Sequence, residues 1–127
     1  MTATQALGRL EPVALVAGGG FLGANLRYVL GLTVPGLGGT LLANALGSFG
    51  LGLLLYGAIH AGALSERARL FAATGVLSSF TTYSTFVVET ALTPEWALAN
   101  VAGSYALGFA GVLLGREIAR TLAGRDD

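Results

Sequence analysis

The sequence lacks cysteine and lysine, and it has a single histidine, His60. The absence of cysteine excludes disulfides, thiolate metal sites and cysteine nucleophiles. One histidine also excludes a metal site built from two histidines of the same chain. Charge of either sign is scarce, because charged residues make up 11% of the 127 residues where a soluble domain typically has about 25%. The net charge is zero, so nothing indicates a nucleic acid or an acidic partner.

What the sequence has instead is long apolar runs. Hydrophobic residues make up 54% of the chain, and charge is absent from 12–26, 28–59, 70–88 and 96–115. A membrane-spanning helix needs about 20 mostly apolar residues. Open sheets do not span lipid, and the alternation typical of barrel strands is absent. The sequence therefore predicts an all-α fold, a single transmembrane domain of four helices at about 13–33, 38–59, 68–90 and 95–118.

The arginines are distributed unevenly between the two sides of such a bundle. With four spans and short loops, both termini and the loop between the second and third helices lie on one side. That side has six arginines: Arg9, Arg67, Arg69, Arg116, Arg120 and Arg125. The remaining one, Arg27, lies within the first span. The positive-inside rule therefore predicts cytoplasmic termini for a multi-pass protein of the cell (plasma) membrane.

A glycine motif in the first predicted helix has two interpretations. Gly18, Gly20 and Gly23 form a literal G-x-G-x-x-G after an apolar run. In a dinucleotide-binding unit, an acid about 20 residues later would hold the ribose. No acidic residue occurs between Glu11 and Glu66. We therefore interpret these glycines as residues that let membrane helices approach closely.

Polar residues inside the spans are the candidate functional residues, because they are costly to place in lipid. Asn44 and Ser48 lie four apart in the second helix, as do Asn100 and Ser104 in the fourth, so each pair shares a helix face. In the third helix, seven of the eight residues from 78 to 85 carry a hydroxyl. Most single hydroxyls of this kind serve helix packing or bond to their own backbone. Their clustering favours a polar path through the bundle.

The chemistry of this path favours an anion. Phe80, Tyr83 and Phe86 recur every three residues among the hydroxyls, a spacing that helix packing would also explain. Hydroxyl and amide groups donate hydrogen bonds to an anion, and the positive edges of aromatic rings attract one. Carboxylates are nearly absent from the spans, with Glu89 near the end of the third, which disfavours a carrier coupled to protons or cations. The residues alone leave the identity of the anion open.

Three blocks of the sequence, in order and over nearly the whole chain, resemble the CrcB/Fluc family of fluoride channels. The first is GGGFLGA at 18–24, which leads to Arg27 and Tyr28. The second is GTLLANALGSF at 39–49. The third is GVLSSFTTYSTF at 75–86, which is similar to the family's glycine-rich TTFSTF element.

The resemblance implies an assembly and a metal site. It implies an antiparallel, dual-topology dimer with two fluoride pathways along the subunit interface, and a third helix broken at its middle. At that break the family holds a structural sodium ion with backbone carbonyls, which fall here on Ser78 and Thr81. The chain departs from the family at Ser78–Ser79, where a glycine pair is usual, and at Tyr83, where phenylalanine is usual.

The resemblance also implies which residues contact the ion. The family's pore asparagine and its pair of pore-facing rings have counterparts here, and the helix-four pair is matched more loosely. The expected fluoride pathway comprises Asn44, Tyr83, Ser84, Thr85, Phe86, Asn100 and Ser104, with Arg27 in a vestibule that attracts anions.

We therefore expect a fluoride-specific channel, not an enzyme, that exports fluoride passively and contacts membrane lipid but no nucleic acid. Because six arginines lie on one side, the dimer partner is either a second copy or an oppositely oriented homologue. Two other classes stay open. A small multidrug-resistance-type four-helix transporter would have a glutamate in its first helix, where residues 13–33 contain no acid. A structural or assembly subunit would transport nothing.

Overall fold

The structure, a computed structural model, describes residues 1–60, 62 and 64–124. Regular structure in this part of the chain is entirely helical. The α-helices are α1 Ala3–Thr33, α2 Leu37–His60, α3 Glu66–Arg69, α4 Ser78–Phe80, α5 Ser84–Leu92 and α6 Ala97–Ala123. A π-helical segment, Leu70–Leu77, joins α3 to α4, and a 3-10 turn, Pro94–Trp96, precedes α6. Arg125, one of the arginines on the side of the termini, lies outside the described residues.

The predicted set of four successive helical segments is present, but the third is divided. α1, α2 and residues 94–123 are long and apolar enough to cross a membrane, at 31, 24 and 30 residues. In the third crossing, residues 66–80 form the first half and α5 forms the second, and residues 81–83 between them are not helical. Neither half alone has the roughly 20 residues that a membrane helix needs, so only the two halves together are long enough to span a membrane.

α1 begins at Ala3, well before the start at residue 13 that the charge-free run indicated. Thr2 Oγ1 accepts a hydrogen bond from the Gln5 N–H at 3.3 Å, and the Gln5 side chain accepts one from the Thr2 N–H at 2.9 Å. This capping box satisfies backbone donors at the helix start. Absence of charge marked only the apolar part of α1, whereas the cap sets where the helix begins. Nearby, Glu11 pairs with Arg67, with Oε1 and Nε 2.5 Å apart.

α2 and α6 pack closely through glycines of α6. A Cβ at Gly111 would lie 2.9 Å from the Ala45 carbonyl oxygen, and a Cβ at Gly115 would collide with the carbonyl oxygen of Phe49. These contacts advance in the same direction along both helices, so α2 and α6 run parallel. Close approach through small residues is the usual way in which membrane helices associate.

α1 and the first half of the third crossing form a second parallel pair. A Cβ at Gly19 would collide with the Phe71 carbonyl oxygen and lie 2.9 Å from the Cα of Gly75. A Cβ at Gly23 would collide with the carbonyl oxygen of Val76. Of the three motif glycines, Gly23 meets the opposite backbone, whereas Gly18 and Gly20 face side chains. Together with Gly19, which lies between them, Gly23 brings the two backbones into contact, in agreement with the packing interpretation.

The buried residues are small, and the large apolar side chains face outward. Buried positions in the described chain are Gly19, Gly23, Gly39, Ala43, Gly47, Gly52, Gly75, Gly115, Ala119 and Asn100. By contrast, Phe21 is 74% exposed and Leu98 is 83% exposed. An apolar surface of this extent suits contact with lipid or with another membrane-embedded chain.

Candidate functional site

The third crossing breaks at Thr81, whose backbone is extended with φ −79° and ψ 160°. The Thr81 N–H still donates to the Leu77 carbonyl at 3.0 Å, which is the last backbone bond of the first half. Helical backbone resumes only at Ser84. The break implied by the family resemblance is therefore present, at the centre of the hydroxyl-rich stretch.

Asn44 on α2 holds the chain at the break. Its Nδ2 donates to the Thr82 carbonyl at 2.8 Å, and its Oδ1 accepts from the Thr82 N–H at 2.7 Å. One amide side chain thus satisfies both backbone groups of one residue, which unpaired in lipid would each cost several kcal/mol (~2–7). An amide has two N–H groups, so a second donor on Asn44 remains available beside the break.

The Thr82 side chain caps the helix that follows. Its Oγ1 accepts from the Thr85 N–H at 3.2 Å and donates to Thr85 Oγ1 at 3.1 Å. The Ser84 hydroxyl lies 3.4 Å from the same atom. Helices commonly begin at a threonine whose hydroxyl accepts a hydrogen bond from the N–H three residues later. The TTYST pattern therefore indicated that a helix could begin at Thr82.

These two side chains take donors away from two carbonyls. In a continuous α-helix the Thr82 N–H would bond the carbonyl of Ser78, and the Thr85 N–H would bond that of Thr81. Both donors bond side-chain oxygens instead, Oδ1 of Asn44 and Oγ1 of Thr82. Among the residues that the structure describes, no hydrogen bond reaches either carbonyl. They are the two oxygens on which the family resemblance places the expected sodium ion, and free carbonyl oxygens suit a hard cation.

Serine at position 78 fits this geometry without glycine. Its backbone is helical at φ −65° and ψ −30°, a conformation that any L-residue adopts. Its hydroxyl donates to the Thr74 carbonyl within the same helix, so it does not compete for the break. Beside it, the methyl group of Thr81 packs directly on Gly47 of α2, where a Cβ would collide with it. Residues 78 and 81 border a cavity of about 370 Å³.

A second cavity, of about 190 Å³, collects several predicted pathway residues. It is lined by Asn44, Thr82, Tyr83, Phe86, Ser104 and Tyr105. The Ser104 hydroxyl oxygen is buried and has no hydrogen-bond partner in the described chain. The rings of Tyr83 and Phe86 lie 6.1 Å apart between centroids, tilted by 38°. The lining offers hydroxyls, an amide and ring edges, and it contains no charged group.

Two further cavities share lining residues with this one. One of about 410 Å³ shares Thr82 with it, and its lining includes Arg27, Thr40, Thr85 and Glu89. Another of about 260 Å³ shares Ser104 and Tyr105 with it. Each of the three shares polar lining residues with a neighbour, and we name these three cavities the polar series hereafter.

Several residues that line the polar series were not predicted as site residues, among them Thr82, Tyr105 and Glu89. Tyr105 borders two of its cavities, and nothing in its apolar sequence context marked it. Glu89 has a buried carboxylate oxygen, Oε2, without a hydrogen-bond partner in the described chain. The three-residue recurrence of Phe80, Tyr83 and Phe86 extends to Glu89 and was a usable signal.

Two predicted pathway residues, Ser84 and Asn100, line none of these three cavities. Asn100 is the one that contacts another helix. It is 8% exposed and does not line the cavity that contains Ser104. Its amide Nδ2 donates instead to Thr90 Oγ1 at 2.8 Å. The structure thus brings Asn44, Tyr83, Phe86 and Ser104 together and engages the Asn100 side chain with α5.

A discontinuous crossing beside a series of polar cavities defines a helical membrane protein of the channel or transporter class. Residues 14–116 match the model of the family described as "CrcB-like protein, Camphor Resistance (CrcB)". The chain belongs to this CrcB family.

Relatives across nearly the full length agree with this assignment. The fluoride-specific ion channel FluC 1 of Haloarcula marismortui is 61% identical over 124 residues, which cover 98% of each chain. FluC 2 of Halobacterium salinarum is 57% identical over 113 residues, 87% of this chain and 88% of the relative. FluC of Thermotoga maritima is 39% identical over 116 residues, 80% of this chain and 91% of the relative.

Proposed function

We propose that this chain is a fluoride-specific ion channel that lets fluoride leave the cytoplasm passively. The observation that carries the proposal is the uncharged cavity of Asn44, Tyr83, Phe86 and Ser104, which contains donors and ring edges but no carboxylate. The names of the relatives, all fluoride-specific ion channels, support the choice of anion.

Fluoride is small and strongly hydrated, so a channel must replace its water with several donors. The unpartnered Ser104 hydroxyl and the second N–H of Asn44 are two such donors. The rings of Tyr83 and Phe86 present positive edges to the same space. In the cavity that Arg27 and Thr85 line, the Arg27 guanidinium attracts anions and the Thr85 hydroxyl adds a donor. The Ser84 hydroxyl, 3.4 Å from Thr82 Oγ1, is a further donor beside the break.

The direction of flow needs no coupling to another ion. Hydrogen fluoride is a weak acid that crosses membranes uncharged and dissociates at cytoplasmic pH. A plasma-membrane potential that is negative inside then drives the anion outward, at about 2.3 kcal/mol per charge for each 100 mV. No covalent step is required, so the protein is not an enzyme.

The assembly that we propose is an antiparallel dimer around a structural sodium ion. The Ser78 and Thr81 carbonyls, which have lost their helical donors, would hold the ion. Two chains related by a two-fold axis supply four such oxygens, and sodium supplies positive charge that offsets repulsion between anions nearby. The second chain is either another copy or an oppositely oriented homologue. The arginine bias favours the homologue, and the relatives carry the names FluC 1 and FluC 2.

Efflux from liposomes tests the function directly. The purified chain is reconstituted in vesicles loaded with potassium fluoride or potassium chloride, and valinomycin starts efflux that an ion-selective electrode records. We expect fluoride efflux without chloride efflux. Equal efflux of both anions, or none of either, contradicts the proposal. Efflux of an organic cation driven by a proton gradient would instead support the multidrug-type alternative.

The sodium ion and the partner have their own tests. Vesicles prepared with N-methylglucamine in place of sodium are expected to lose fluoride more slowly, and equal rates would count against the ion. If the chain purified alone forms antiparallel dimers that carry fluoride, the partner is a second copy and the homologue is excluded.

A further inference from the structure

Asn100 is the only polar residue among the buried positions of the described chain, and its amide donates a hydrogen bond to another helix. Its Nδ2 donates to Thr90 Oγ1 at 2.8 Å, and the Thr90 hydroxyl donates to the Phe86 carbonyl at 2.6 Å. The direction of both bonds is fixed by chemistry. A carbonyl only accepts, so the Thr90 proton points at Phe86, and Thr90 Oγ1 must accept from the amide.

The two hydrogen bonds from Asn100 to Thr90 and from Thr90 to the Phe86 carbonyl are named the relay hereafter. The relay places two side chains of α5 opposite two of α6. Phe86 and Thr90 lie four apart on α5, and Asn100 and Ser104 lie four apart on α6, so each pair shares a helix face. The helices meet first at the hydrogen bond from Asn100 to Thr90. One turn away along both helices, Phe86 and Ser104 face the same cavity. The hydrogen bond therefore fixes how Phe86 is positioned relative to Ser104.

α5 depends on such bonds because it is short. Nine residues span about 13 Å, and a helix of this length is marginal without tertiary contacts. The Asn44 side chain holds the chain just before α5, at Thr82. The relay holds the C-terminal half of α5, through Thr90. A helix fixed at both ends neither rotates nor slides, and the Phe86 ring then keeps one position in the cavity.

We propose that Asn100 is a positioning residue for permeation, which acts through Thr90 to hold the Phe86 ring, and does not contact the ion. The proposal rests on the proposed function, because it assigns Phe86 to the fluoride pathway. It replaces the expectation that Asn100 lines that pathway and makes Thr90 a functional residue, although nothing in the sequence distinguishes Thr90 from other hydroxyls of the spans.

The test compares Thr90→Val with Thr90→Ser. Valine keeps the shape and removes the hydroxyl, whereas serine keeps the hydroxyl. We expect Thr90→Val and Asn100→Leu each to slow fluoride efflux about tenfold, the effect of one interhelical hydrogen bond at the upper end of its range. Thr90→Ser should retain the rate, and the double variant should be no slower than either single variant. Equal rates for Thr90→Val and Thr90→Ser overturn the proposal.

Two further measurements separate positioning from general stability. In a Phe86→Leu background, adding Thr90→Val should slow efflux no further, because the ring that the relay holds is absent. An equally large second loss would show that the relay serves stability alone. Hydrogen–deuterium exchange measures how firmly α5 is held and does not require fluoride. The α5 amides should exchange faster in Thr90→Val than in the wild-type chain, and at the wild-type rate in Thr90→Ser. If the wild-type chain carries no fluoride while this exchange pattern holds, the channel function fails and the relay stands. Unchanged exchange in Thr90→Val refutes the relay itself.

Discussion

Replacing Gly19 by alanine should separate α1 from the first half of the third crossing, whereas the same change at Gly18 should not. A Cβ at Gly19 would collide with the Phe71 carbonyl oxygen, and it would lie 2.9 Å from the Gly75 Cα, where ordinary contacts begin at 3.4 Å. The obstructing atoms are backbone, so no side chain rotates away. The two helices must therefore move apart by at least half an ångström, about the difference between these distances.

The adjacent glycine provides a matched control. A Cβ at Gly18 would meet only the edge of the Phe71 ring, at 3.8 Å. Both changes gain about 0.8–1.0 kcal/mol of intrinsic helix propensity, and this gain cancels when the variants are compared. What remains is the overpacking cost at Gly19, typically about 1–3 kcal/mol.

Thermal stability in detergent measures this difference. After heating, the folded fraction is read as the monodisperse peak in size-exclusion chromatography. One kcal/mol corresponds to about 4 °C for a domain of this size, so Gly19→Ala should lose its structure roughly 4–12 °C below Gly18→Ala. Equal midpoints would refute the reasoning, because they would mean that the contact between α1 and the π-helical segment is looser than the structure shows.

Three further changes test the site and the surface. Asn44→Asp puts an acceptor against the Thr82 carbonyl, at a cost of about 1–3 kcal/mol; fluoride efflux should fall by about tenfold or more, with circular dichroism unchanged. Tyr83→Phe keeps the ring of a side chain that is 75% exposed, so efflux should stay within about twofold, while Tyr83→Ile should abolish it. The Glu11–Arg67 pair is largely exposed, so a double-mutant cycle should give a coupling of less than about 1 kcal/mol that vanishes in high salt.

The number and order of the crossings could be predicted because lipid tolerates few charges. The same criterion misplaced the start of α1, since charge reports where lipid begins and the Thr2–Gln5 cap determines where the helix begins. That cap follows the T-x-x-Q pattern, which is readable in principle. Propensity alone gave no reason to place the break at residues 81–83, because threonine and serine occur throughout the spans. The resemblance to a family supplied the break.

Site residues could be predicted where the type of side chain decides the role, and could not where the role depends on the residue that the side chain contacts. Amides and rings clustered near the break were expected to meet, and Asn44, Phe86 and Ser104 do line one cavity. Asn100 has the same side chain as Asn44 and the same four-residue spacing to a serine. What distinguishes the two is the residue opposite, Thr90 for one and the backbone of Thr82 for the other. A single sequence does not contain that information.

The break in the third crossing is a competition between acceptors rather than a weak point of the helix. Asn44 Oδ1 and Thr82 Oγ1 each accept one N–H that a continuous helix would give to a carbonyl. The Thr82 and Thr85 N–H groups therefore stay satisfied at the break, whereas the Tyr83 N–H makes no hydrogen bond within the described residues. The carbonyl oxygens of Ser78 and Thr81 are among those left without donors. Oxygens of this kind are costly to leave unpaired away from water, and the sodium ion proposed above would provide the partner that they lack.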